Sequence, residues 1–446
     1  VSPGEPAPPL DVLVLGGGLA GAVAALAARE RGARVALVRR SPGASALSSG
    51  AVGVAWDADA LPGDPLRARR GWLESARRLG ARRPEHPYAV VGEGLRELPA
   101  ALAFAASELE ALLAPPLERN RFLATAHGAA LGAALCQRSM AAGDLLEVRG
   151  RLAVAGFRGH LGWDARLVAG GLARYAPLGG PEPVAVELDL FAGPGEGLLR
   201  PHELARALEP PGAAEEAGRR LREALPAGAA AALLPPVLGL RLEARVPERL
   251  SAAAGLPVAE LLGDVPSVPG LRLQDAMERR LRQAGVELVE GPVERAEAPG
   301  LALLAGGREL VAGAWVLATG RYTGGGVARR GRLLEPVLGL PVHAGGEDPA
   351  GPRLHARPPA ALTRAGCFEP QPLLAAGLRV DPELRPLGED GRPFHPRLFA
   401  AGGVLGGHEP AQDGTGLGVA ILTGYVAGRG AAFTSLRCAG SGFASR

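Results

Sequence analysis

The chain has 446 residues, 47% of them hydrophobic and 21% charged, a balance that folds into about two to three globular domains and excludes a disordered chain. Its 49 basic residues are all arginine and are nearly offset by 46 acidic ones, giving a net charge of +3. Schiff-base and P-loop lysine chemistry are thereby excluded, and arginines alternating with carboxylates form no nucleic-acid-binding stripe. Cys136, Cys367 and Cys438 are widely spaced and odd in number, which argues against a disulfide framework, a zinc site or an iron–sulfur cluster carried by this chain alone and fits a reducing cytosol.

In chain order, the Pro-rich stretch 1–9 reads as a disordered tail without signal-peptide character. Leu10 to Leu15 then reads as a buried parallel strand, Leu19 to Arg31 as an Ala-rich helix ended by Gly32, and Arg34 to Val38 as a second strand. Together they make a βαβ unit. A Ser/Gly-rich loop follows over about 40–56, then cap helices around Pro65 to Leu79 and Glu93 to Leu113. From Arg151 the pattern alternates between strand and helix: Leu152 to Phe157, Trp163 to Tyr175, Pro183 to Phe191, Pro201 to Leu208 and Ala213 to Leu225, with an apolar run to Leu238. This is an α/β segment inserted at 151–264. Arg272 to Gln283 is a helix, and Val286 to Val289, Leu310 to Leu317 and Arg397 to Ala401 are strands; Gly414 to Ala427 is a small-residue helix. The expected fold is therefore α/β, with a discontinuous Rossmann-like domain from 10–150 and 265–446. No stretch reaches about 18 uninterrupted apolar residues, so no membrane span is expected.

Gly16, Gly17, Gly18, Leu19, Ala20 and Gly21 supply G-x-G-x-x-G between a strand and a helix, where glycines let backbone N–H groups approach a phosphate. The acidic residue that usually ends the second strand and holds a ribose is replaced by Arg39 and Arg40. Arginines there suit either an NADP 2′-phosphate or a flavin held through its phosphate. Ser48, Ser49 and Gly50 lie on a loop offering hydroxyl and backbone donors beside a flavin. Ala318, Thr319 and Gly320 break an apolar strand where flavoproteins return the chain to the cofactor crevice. Gly402 and Gly403 end a further strand, and Gly414, Thr415 and Gly416 open a helix whose amide dipoles stabilise negative charge. Weak singly, these elements in this order point to a flavin-binding domain of the two-dinucleotide-binding-domain type.

Read with His86-Pro-Tyr88, Ser267 to Gln274, Glu335 to Leu340 and Val404 to Pro410, the chain resembles the B subunit of the anaerobic glycerol-3-phosphate dehydrogenase. The similarity is weakest between about Leu178 and Leu262. The resemblance implies a cytoplasmic flavoprotein carrying FMN, with FAD as the alternative. It also implies a catalytic FAD subunit and an iron–sulfur membrane-anchor subunit as partners, which hold this chain peripherally at the inner face of the membrane. Together such subunits oxidise sn-glycerol 3-phosphate to dihydroxyacetone phosphate and pass electrons to quinone.

The chemistry then sits on the flavin, and no side chain need act covalently. His86, His127, His160 and His408 are candidate acid/base groups, and none is singled out as catalytic. Two other readings stay open: an NADP-linked dehydrogenase, motivated by Arg39 and Arg40, and a non-catalytic scaffold that keeps the fold while a partner does the chemistry.

Overall fold

In the computed structural model, which describes residues 10–55, 71–91, 95–191, 198–297, 301–304, 308–343, 359–366 and 369–441, contacts group Val1–Ala44, Leu73–Glu108 and Met277–Arg446 into a first unit, and Ser45–Trp72 and Leu109–Ala276 into a second. The tail 1–9 and the start of the expected helix at 65–70 lie outside the described residues.

The first unit opens with β1 (Leu10–Leu15), α1 (Leu19–Glu30) and β2 (Val35–Arg39), and continues with β3 (Glu287–Glu290), β4 (Glu309–Leu317), β5 (Leu398–Ala400) and α2 (Gly416–Ser441). Unbroken apolar runs such as Val12 to Leu15 and Ala314 to Leu317 suit strands covered on both faces, and these residues are buried. β1 lies between β2 and β4, β2 pairs with β3 and β4 with β5, all parallel. Two antiparallel strands, Val293–Glu297 and Leu301–Leu304, extend the sheet from the first residues of β4.

The α2 helix runs further than its small-residue start suggests, because its interior is needed to cover α1. Gly424 and Gly428 allow this approach: a Cβ on them would stand 2.5 Å from the Ala20 carbonyl oxygen and 2.2 Å from that of Ala24. α2 is long and apolar enough to cross a bilayer by composition, but 67% of that window is buried, as in the core helix of a packed domain. The helix Glu97–Glu108 also packs on it, with Phe104 against Tyr425 at 5.2 Å between ring centroids.

The second unit holds a four-stranded parallel sheet of Glu182–Leu188, Arg151–Phe157, Ala229–Leu234 and Val258–Glu260, in that order. Helices Ala165–Leu172, Ala213–Ala224 and Val246–Ala254 accompany it. The 151–264 α/β segment lies wholly within this unit. The unit is larger than that segment because the hairpin Arg121–Ala124/Ala130–Ala133 packs Phe122, Ala124 and Ala130 against Val154, Val168 and Leu233 of the sheet layer. Four-residue strands with little alternation leave no periodic trace, so the hairpin has no sequence signature.

Candidate functional site

In the first unit, three glycine corners meet at the carboxyl ends of the parallel strands. Gly16 leaves β1 at φ 129°, its N–H donating to the Val38 carbonyl at 2.8 Å. A Cβ on it would sit 2.0 Å from the Ala318 carbonyl oxygen at the end of β4. Gly21 faces the Gly16 carbonyl oxygen at 2.0 Å from its absent Cβ. Gly18 caps α1 with extended backbone and no side chain, and the first turn carries no acid. The positive end of the helix dipole is thus left for an anion. Leu19 and Ala20, both buried, open the helix.

The other corners close on the same place. Ala401 N–H donates to the Leu317 carbonyl at 2.9 Å, and Gly402, at φ 72°, donates to Thr423 Oγ1 at 2.8 Å. A Cβ on Gly402 would meet the Ala20 Cβ at 2.5 Å, and one on Gly403 the Gly320 Cα at 3.5 Å. Gly414 turns the chain at φ 65° into Thr415 and then Gly416, the first residue of α2; a Cβ on Gly416 would meet Pro410 at 3.3 Å and none of these corners. Gly16 to Gly21, Ala318 to Gly320, and Gly402 with Gly403 therefore share one crevice.

Ser48, Ser49 and Gly50 belong to the second unit. There Ser267 Oγ donates to the Ser48 carbonyl, Gly263 N–H donates to the Ser49 carbonyl at 2.9 Å, and Gly50 turns at φ 85° against Pro269. His127, also in that unit, is exposed and pairs with Asp264 at 2.9 Å.

Arg39 departs from the role its position suggests. Its guanidinium is engaged by two carboxylates, Glu278 through both oxygens and Glu290 at 3.0 Å, and these carboxylates raise its pKa. A guanidinium so neutralised is not available to a 2′-phosphate, which removes its support for an NADP site. Arg40 is different: it is exposed, lies over Gly325 and forms no ion pair among the described residues.

Sequence reasoning missed several groups. Gly43 folds back on the cradle, with a Cβ position 2.4 Å from the Gly18 Cα, and Gly326 lies where a Cβ would meet Thr319 Oγ1 at 2.4 Å. More important is Arg321, directly after the Gly320 corner. It donates to the carbonyls of Leu374, Leu405 (2.8 Å) and His408 (3.2 Å), and stands 3.5 Å from His408 Nδ1. Burial brings its guanidinium down to about 10, so it stays charged at neutral pH. Its only sequence signal was an arginine following Ala-Thr-Gly.

Beside it lies a buried polar cluster. Arg83 bonds both oxygens of Asp413, at 2.9 and 3.0 Å, and Glu409 N–H donates to Asp413 at 2.8 Å. Burial nevertheless raises the Asp413 pKa, outweighing the opposing pull of these donors. His86 Nδ1 accepts from Tyr88 N–H at 3.0 Å. The neutral ring therefore carries its proton on Nε2, which lies 4.0 Å from Asp413. Burial, reinforced by Arg83, holds His86 down at about 3, and burial next to Arg321 and His86 keeps His408 well below its ordinary value. Both imidazoles are neutral at physiological pH.

Thr319 Oγ1, Thr415 Oγ1, Arg321 Nε, His86 Nε2 and Tyr88 OH are buried without a hydrogen-bond partner, a state that costs free energy unless something binds. The Thr319 hydroxyl at the glycine crevice, with the α1 dipole and the nearby Arg40 and Arg321, fits a phosphate-bearing cofactor. Among the described residues no group of acids, histidines or cysteines could hold a metal ion.

The FAD binding domain family matches residues 11–419. The probable anaerobic glycerol-3-phosphate dehydrogenase B subunit of Halobacterium salinarum is 30% identical over 95% of this chain and 97% of its own. The corresponding B subunit of Pectobacterium carotovorum is 30% identical over 93% and 96%. A solved 3-ketosteroid delta1-dehydrogenase from Sterolibacterium denitrificans covers 95% of this chain and 99% of its own, at 14% identity and a TM-score of 0.40.

Proposed function

Because the chain belongs to the FAD binding domain family, and within it to the B-subunit family of anaerobic glycerol-3-phosphate dehydrogenases, it is a flavoprotein oxidoreductase subunit, and we propose that it binds FAD and serves the oxidation of sn-glycerol 3-phosphate to dihydroxyacetone phosphate. The observation that carries the proposal is the convergence of the Gly16, Thr319 and Gly402 corners beside the unsatisfied Thr319 hydroxyl. FMN, which the resemblance suggested, draws no support from the family match, and the glycine cradle suits a pyrophosphate.

When bound, a flavin supplies a two-electron acceptor. The amides around Gly18 and the α1 dipole would hold its phosphates, with Arg40 at hand as a counter-charge. The Gly402 and Gly414 N–H groups are bonded to Thr423 Oγ1 and the Pro410 carbonyl, so the Gly402–Gly403 corner would border the ring system through its lack of side chains. Arg321, charged and with no carboxylate bonded to it among the described residues, would stabilise negative charge that builds up next to the Gly320 corner. Neutral His408 would be the imidazole able to accept a proton, while His86, whose Nδ1 already accepts from Tyr88 N–H, presents its Nε2 proton toward Asp413, itself fixed by Arg83. The reaction removes a hydride from C2 of the substrate and a proton from its hydroxyl.

In this reading the chain works beside a catalytic FAD subunit and an iron–sulfur anchor subunit, is cytoplasmic, and meets the membrane only through them. Purified protein should show flavin absorbance, and chromatography of the chromophore released by denaturation should give FAD. Protein that neither carries nor takes up flavin would refute the reading; flavin that is bound but never reduced in the assembled complex would leave a scaffold.

A further inference from the structure

Resting on the FAD reading above, we propose that Glu290 is the acid that binds the adenosine ribose, moved from β2 to the neighbouring strand β3 and oriented there by Arg39. Strand pairing sets Glu290 directly beside Arg39 at the carboxyl ends of β3 and β2. The next residue, Gly291, turns the chain at φ 144° and donates its N–H to the Arg39 carbonyl at 2.9 Å, fixing that end. The Arg39 stem crosses the cradle: its Cδ lies 2.9 Å from where a Cβ on Gly17 would be. From there the guanidinium holds Glu278 through both oxygens and Glu290 through Oε1 at 3.0 Å.

The two acids are not equivalent. The Glu278 side chain is 19% exposed and that of Glu290 74%, so Glu278 neutralises Arg39 while Glu290 faces outward. Its Oε2 has no partner among the described residues. Glu278 also pairs with Arg282 at 3.6 Å, so its charge is met within the protein, and the carboxylate left facing outward at this corner is that of Glu290. A carboxylate accepts two hydrogen bonds from a ribose diol and repels a 2′-phosphate. FMN has no adenosine ribose, so the contact selects FAD over FMN and over a 2′-phosphorylated dinucleotide.

The full chain, freed of flavin, is titrated with FAD and with FMN and followed by flavin fluorescence, for wild type, Glu290→Gln and, as a control for lost charge, Glu294→Gln. Glu290→Gln should weaken FAD about tenfold, the value of one charge-assisted hydrogen bond, and leave FMN unchanged; Glu294→Gln should change neither. Glu290→Asp, which keeps the charge but shortens the reach, should fall between, and thermal unfolding of each flavin-free variant reports its folding. The proposal is overturned if Glu290→Gln binds FAD within twofold of wild type, if FAD and FMN weaken equally, or if wild type binds FMN as tightly as FAD. Wild-type protein that binds neither flavin overturns instead the reading on which the proposal rests.

Discussion

Replacing Gly16 with alanine tests the convergence of the strand ends most directly. The new Cβ would lie 2.0 Å from the Ala318 carbonyl oxygen and 2.5 Å from its carbon, whereas real Cβ contacts stay beyond 3.0 Å. Since both neighbours are backbone, the end of β4 must move by about 1 Å relative to the β1–α1 corner, an overpacking strain of roughly 1–3 kcal/mol. The φ of 129° adds a further penalty of about 1–3 kcal/mol for a residue with a side chain. The total, about 2–6 kcal/mol, is a large share of a typical stability of about 5–15 kcal/mol. Gly32→Ala is the matched control: its φ is 84°, yet nothing lies within 4 Å of its Cβ position, so it pays only about 1–2 kcal/mol for a left-handed residue. Denaturant unfolding of the flavin-free chains, followed by FAD titration, separates the two. Gly16→Ala should lose both stability and at least about tenfold in FAD affinity, while Gly32→Ala should lose about 1–2 kcal/mol of stability alone. Equal FAD affinities for the two variants would refute a crevice built from these corners.

Other outcomes follow from the same geometry. Substituting Arg321 by Gln removes a buried positive charge near the Gly320 corner, and the midpoint potential of the bound flavin should fall by at least ~30 mV, equivalent to about 1.4 kcal/mol for two electrons; spectroelectrochemical titration giving an unchanged potential would exclude that electrostatic role. Arg83→Ala strands the nearly buried Asp413 carboxylate and should cost about 2–4 kcal/mol by urea unfolding, with Asp413→Asn in the same background recovering part of the loss. His86 and His160, held by burial at about 3 and about 4, are protonated more readily in the unfolded chain. Their contribution is therefore complete above about pH 6.5 and falls as pH drops toward 4, by at most ~1.4 kcal/mol per pH unit for each ring. Urea midpoints at pH 7 and pH 5 should differ in that direction, and His160→Asn should reduce the difference. Gly428→Val, whose Cβ would stand 2.2 Å from the Ala24 carbonyl oxygen, should destabilise by about 1–3 kcal/mol through the α1–α2 contact; an unchanged thermal midpoint would contradict that packing.

Local sequence was sufficient wherever a periodic or unbroken apolar run met a turn residue. The β1, α1 and β2 elements and the strands β4 and β5 fall within a residue or two of their expected bounds, because fully covered strands read as continuous Val, Leu and Ala and helices end at glycine. The hairpin at Arg121–Ala133, the helix Val246–Ala254 and the antiparallel strands near Leu301 carry no such signature.

The glycine fingerprint and the two later corners are chain-local facts, and so the sequence by itself determined an α/β cofactor-binding fold and its family. Partnership across the chain was decided only by tertiary structure. Arg39 looked like a phosphate ligand until Glu278 and Glu290, more than two hundred residues on, were found holding it, and Arg321, His86, His408 and Asp413 gained meaning only once buried together. The physical reason is that backbone conformation follows from neighbours along the chain, whereas the charge state and availability of a side chain depend on desolvation and on partners that only folding brings near.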